Sequence, residues 1–176
     1  VPLDMFEKEL GFRPTEDWLK DVQMSALSFG GGCSAAFVSE DGLIMTNHHC
    51  GRNNLPALSP KGEDYLRDGY YAKTLAEELK VPGLFVDQLI MIEDVTTDVI
   101  DALNLGNDDN EKVKLRNEKI KSLEDKYSKE SGLVCRVVQL YNGGKYSLYG
   151  YKHYTDIRLV MAPDFQIAST GWDWDN

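Results

Sequence analysis

The chain has no excess of basic residues, no long apolar run and no internal repeat, and each absence narrows what it can do. Lys and Arg number 19 against 29 Asp and Glu, a formal net charge of -10. That balance argues against nucleic acid and against membrane as partners, since both call for a basic face. No apolar stretch approaches the ~18 residues of a membrane span. The opening "VPLDMFEKEL" has no signal peptide and no initiator Met, so the chain reads as mature or trimmed. The end, "GWDWDN", reads as a cut. With no low-complexity linker, the 176 residues suit one good-sized domain or one and a fraction. Cys and His are scarce, three of each. No C-x-x-C or H-x-x-x-H spacing occurs among them, which removes the usual sequence signs of zinc.

What is present is an ordinary globular mixture, 42% hydrophobic and 27% charged. Residues 3–10 predict a short helix stopped by Gly11. Thr15 caps a second helix running to about Leu27, with Trp18, Leu19, Val22 and Leu27 on its apolar face. "GGGC" at 30–33 breaks the pattern. "SAAFVS" and "LIMT" then flank the turn signal "EDG", which predicts antiparallel strands over 34–38 and 43–46. A short helix is expected over Pro60–Arg67, a helical turn over Thr74–Leu79, and one long or two short strands in "GLFVDQLIMIEDVT". The charged stretch 97–130 reads as a solvated helical region, broken near its start by "LNLGNDDN". Val113, Ile120, Leu123 and Tyr127 fall on its inner face. "LVCRVVQLY", "KYSLYGYKHYT" and "DIRLVMAP" are β-prone, with "NGG" at 142–144 turning between the first two. The expected fold is mainly β with helical insertions (α+β), a barrel-like core carrying a helical insertion around 97–130.

The stretch "TNHHC" at 46–50 carries the chemistry. An imidazole titrating near neutrality suits proton transfer when held against a nucleophile and oriented by a carboxylate. Metal is the weaker alternative. Adjacent histidines on an extended chain point to opposite sides, so only one of His48 and His49 could join a common site. A set of His49, Cys50 and His153 stays open. Three cysteines fit one disulfide plus one thiol, or three thiols.

"GGC" at 31–33 followed by "DGLIMTNHHC" at 41–50 resembles the start of the S46 peptidases. The likeness continues through "YNGGKYSLYGYKHYTDIRLVMAP" at 141–163 and "DWDN" at 173–176. These are bacterial serine dipeptidyl peptidases with a trypsin-like double β-barrel and a large inserted helical domain. The resemblance implies the N-terminal part of such an enzyme over residues 1–176: the first barrel, incomplete, with part of the helical region. It makes His49 the general base and gives His48 no catalytic role. It pairs Cys33 with Cys50, a bridge worth about 3 kcal/mol in the chain-entropy model and implying an oxidising compartment, periplasmic or secreted. Cys135 is then a buried free thiol. Asn176 would bind the substrate's α-amino group, so that dipeptides leave from N-termini. Peptide substrates are the implied partners, no cofactor or metal is implied, and a homodimer of the full-length protein is left open.

The departures are specific. The family's catalytic Asp lies a few residues past its "DN" pair and the nucleophilic Ser hundreds of residues further on. Trp172 stands where a Gly is expected. Ser25, Ser28, Ser34 and Ser39 read as cap, turn or strand residues, Asp41 as part of the hairpin turn, and Asp156 as the neighbour of Arg158. The 176 residues alone are expected to be inactive. The competing readings are a non-catalytic peptidase-like binding module and a zinc-binding protein.

Overall fold

The computed structural model describes residues 2–169. Helix α1 (Leu3–Leu10) ends at Gly11, whose left-handed backbone lets its N–H reach the Glu7 carbonyl. Helix α2 (Glu16–Ser25) is capped by Thr15, whose hydroxyl accepts from the Trp18 N–H at 3.2 Å. Strands β1 (Ala26–Phe29), β2 (Cys33–Phe37) and β3 (Ile44–Thr46) follow, then four-residue helices α3 (His48–Gly51), α4 (Leu55–Leu58) and α5 (Tyr65–Asp68). Two short strands, β4 (Tyr70–Tyr71) and β5 (Leu79–Lys80), precede the long β6 (Val86–Asp94). Helices α6 (Thr96–Asn104) and α7 (Asp109–Ser131) come next, then β7 (Val134–Leu140), β8 (Lys145–Tyr154), β9 (Arg158–Leu159), β10 (Met161–Ala162) and α8 (Phe165–Ser169). The fold is mixed α+β. Its main antiparallel sheet is not closed. No helix among the described residues is long and apolar enough to cross a membrane.

The chain divides into two compact units. One contains, of the described residues, 2–24 and 87–153. In it, strands run in the order β6-β8-β7, and β7 pairs with β8 from Val134↔Tyr151 to Leu140↔Lys145. The tight reversal between them puts Tyr141, Asn142 and Gly143 at positive φ, which is the work of the "NGG" signal. Helices α6 and α7 cover a core of Val95, Val99, Leu123, Cys135, Tyr146 and Leu148. Thr96 docks α6 by accepting from the Tyr146 N–H at 3.0 Å. Asp108 caps α7, accepting from the Glu111 N–H at 2.9 Å. Ile120, Leu123 and Tyr127 pack inward as expected, whereas Val113 stays 47% exposed.

The other unit contains, of the described residues, 25–86 and 154–169. Its strands run β3-β2-β1, with a core of Leu27, Phe29, Ala35 and Val86. Here the expected second helix is too long by two residues. Leu27 and Phe29 are buried while Ala26 and Ser28 are exposed, a period of two that makes them a strand. "GGG" turns β1 into β2 because Gly30 and Gly31 hold positive φ, 57° and 76°. The "EDG" hairpin forms as expected, with Phe37↔Ile44 its last pair. Ser39 closes the turn by accepting from the Leu43 N–H. The expected helix over Pro60–Arg67 is only α5, because Ser59 and Asp64 take up the backbone N–H groups of Tyr65 and Arg67. "DIRLVMAP" does not extend the main sheet: β9 pairs with β5 and β10 with β4.

Candidate active site

The site is built from the end of β3. Pairing with β2 fixes Thr46, whose hydroxyl also donates to the Ser34 carbonyl at 2.7 Å. Asn47, in extended conformation, starts α3, and the Cys50 N–H closes back on its carbonyl at 3.0 Å. Cys33 and Cys50 form a disulfide with Cα atoms 6.1 Å apart. It ties the helix that bears His49 to the first residue of β2. Cys135 is free and buried.

The two histidines face different surroundings. His49 is exposed, and among the described residues no hydrogen bond or ion pair engages its ring. His48 is half-buried, with its ring centroid 6.4 Å from that of Phe165. Burial, then the nearby Arg52 charge, lower its pKa, against a hydrogen bond to the Pro163 backbone that raises it. Its Nε2 is buried without a partner among the described residues. Nothing in the local sequence separates the two rings. The contacts that do so, Pro163 and Phe165, come from far along the chain.

The metal alternative meets two obstacles. Cys33, His49 and Cys50 do gather their ligand atoms within 4.8 Å of one another. Both sulfurs are spent on the disulfide, however, so neither is a thiolate ligand. His153 has its Nδ1 on Asp87 Oδ1 at 2.5 Å. The residues set aside as triad members hold other posts: Asp156 is paired with Arg158 at 2.9 Å and Ser39 serves the turn. Asn176 and Trp172 lie outside the described residues. A shallow cavity of about 320 Å³ abuts the disulfide, lined by Phe29, Cys33, Cys50, Asn54, Leu84 and Phe85 among others. Sequence reasoning did not find it, because Leu84 and Phe85 reach it from a different loop.

The model of the peptidase S46 family matches residues 1–176. The chain belongs to the S46 peptidases. It is 38% identical, over 96% of its length, to "Dipeptidyl-peptidase 7" of Porphyromonas endodontalis, and 37% identical over 96% to "Asp/Glu-specific dipeptidyl-peptidase" of Capnocytophaga gingivalis. It covers 21% and 24% of those two proteins, so this S46 chain spans about a fifth to a quarter of such relatives. The crystal structure of P. endodontalis DPP11 in complex with dipeptide Arg-Asp superposes with a TM-score of 0.75 at 28% identity, covering 98% of this chain and 27% of that one. Another crystal structure of P. endodontalis DPP11 gives 0.71 at 30%, covering 88% and 23%. These likenesses agree with the mixed α+β fold and its open sheet.

Proposed function

We propose that this S46 chain is the N-terminal part of a serine-type dipeptidyl aminopeptidase in which His49 is the general base. The observation that carries the reading is His49 itself: exposed, one residue from a disulfide, at the end of a paired strand. A base must be rigid in its backbone and open at its ring, and this placement meets both needs. The serine that attacks, and the aspartate that holds the imidazole tautomer, would come from chain beyond residue 176. His49 takes the serine's proton as the oxygen adds to the scissile carbonyl. It returns that proton to the departing amine, and in the second half-reaction takes one from the water that releases the acyl group. Asn176 would hold the substrate's free α-amino group and so limit release to dipeptides. The open sheet would be the first, incomplete half of a trypsin-like double barrel.

The names of the relatives support the substrate class. They do not choose a preference at the second position, since the two differently named relatives stand at 38% and 37% identity over this stretch. The disulfide supports a periplasmic or secreted location, where such bonds persist. The test is release of a chromogenic amine from a dipeptidyl substrate by the full-length protein, beside the same substrate with its α-amine blocked. His49→Ala should abolish turnover and blocking the amine should abolish cleavage, and the 176-residue chain alone should be inactive. Full activity in His49→Ala sinks the base assignment, equal cleavage of the blocked substrate sinks the exopeptidase reading, and turnover by the 176 residues alone sinks the placing of the nucleophile beyond them.

A further inference from the structure

We propose that Cys33, His49 and Cys50 become a zinc site when the bond between the two cysteines is reduced, and that the ion then takes a nitrogen lone pair of His49. The ligand atoms of these three residues lie within 4.8 Å of one another. Two ligands of one tetrahedral zinc stand about 3.5–3.8 Å apart, so a shift of about 1 Å gathers them. Two thiolates and an imidazole are donors that suit zinc, whereas magnesium and calcium take oxygen. The fourth position is left to water. Among the described residues no other trio of His, Cys, Asp or Glu comes this close.

The obstacle is the disulfide, and a disulfide can be opened. Both cysteines line the cavity of about 320 Å³, which has room for a small dithiol. A thiolate of the dithiol attacks one sulfur, and its second thiol then breaks the mixed disulfide. Two electrons and two protons pass to Cys33 and Cys50, and the reductant closes to a disulfide. Zinc displaces both thiol protons, so two thiolates balance its charge. Backbone and packing hold the three residues without the bond. Cys33 stays paired with Phe29 across β1 and β2. The Cys50 N–H closes on the Asn47 carbonyl. Both cysteines pack against the core of Leu27, Phe29, Ala35 and Val86. His49 has its ring in solvent, with no hydrogen bond or ion pair among the described residues to give up. His153, engaged with Asp87, is not needed. Resting on the reading of His49 as general base, the bound ion also silences the enzyme, because the lone pair that accepts the serine's proton is occupied.

The test separates binding from activity. The full-length protein is reduced with a dithiol, freed of it by gel filtration without air, and titrated with Zn2+. It should gain a zinc site that the oxidised protein lacks. Cys33→Ser, Cys50→Ser and His49→Ala, treated alike, should each weaken that site by about a hundredfold, and Cys135→Ser should not. Co2+ in place of zinc should give thiolate-to-metal absorption in the wild type and in Cys135→Ser, and lose it in the other three. Equal zinc binding by oxidised and reduced protein overturns the proposal, and so does a reduced site that survives His49→Ala. Should reduction loosen residues 26–50, zinc should restore their protection from hydrogen exchange; a reduced protein that neither binds zinc nor recovers overturns the proposal too. Activity is the second readout. The reduced, zinc-loaded enzyme should release no dipeptide, and a chelator should return its turnover. An oxidised protein that releases no dipeptide removes the general-base reading and leaves the zinc site standing on its binding data.

Discussion

The two units solve the same problem by different means. The unit with residues 87–153 buries Val99 and Leu148 completely beneath α6 and the 23-residue α7, and leaves its one cysteine as a thiol. The unit with residues 25–86 has strands of only four, five and three residues, four-residue helices, and a covalent bridge at the site. Short elements bury too little to hold one another, and a cross-link makes up the shortfall. His49, the base proposed above, sits in this second unit, where the backbone is fixed by a bond and the side chain stays in solvent.

The comparison can be broken at four points. Leu148 is 0% exposed, so Leu148→Ala should cost about 3–4 kcal/mol from lost transfer and the cavity left behind. Chemical denaturation measures it, and a loss below about 1 kcal/mol would mean the helical unit is not held by its apolar core. Replacing Cys33 and Cys50 together by Ala should cost about 3 kcal/mol. In hydrogen exchange the loss of protection should fall on residues 26–50 and spare β7 and β8. Uniform loss over the chain would erase the distinction between the units. Asp108→Ala removes the cap of α7 and should cost about 1 kcal/mol, with Asp108→Asn nearly neutral; equal losses in both would show that the cap bond at Glu111 is not what matters. The smallest effect concerns pH. The folded pKa of His48 lies below the usual 6.5, chiefly through burial. Its contribution to stability is therefore whole above pH 6.5 and is lost as pH falls from there through the folded value, because the unfolded chain takes up the proton first. His48→Gln should flatten the acid side of the stability profile below 6.5; identical profiles would show that the ring is not held neutral.

Local signals served well wherever the structure is decided locally. Gly11 stops α1, Thr15 caps α2, "EDG" turns the hairpin, and "LNLGNDDN" parts α6 from α7, each through backbone preferences of a few residues. The spacing of Cys33 and Cys50 about that hairpin, read with the family resemblance, anticipated the bridge. Ala26–Phe29 was lost to α2 because Leu27 lies on a helical face with Trp18 and on a strand face with Phe29, and only pairing with β2 decides between them. The same limit hid β4, β5, β9 and β10, two-residue strands that exist only through partners elsewhere in the chain. It hid the different burial of His48 and His49 too, which no reading of "TNHHC" alone can supply.

The bridge between Cys33 and Cys50 spans only 17 positions, and the strands around it pair with their immediate neighbours. Contacts this close along the chain are the quickest to close, and distant ones come later. As the polypeptide emerges from N to C, the paired strands and both cysteines of the loop around His49 are present once residue 50 is out, while Val86, which completes its core, comes later. Phe165 arrives only after all of α6, α7 and β8 have been made. The loop that carries His49 can therefore close early, and the contact of His48 with Phe165 is gained late.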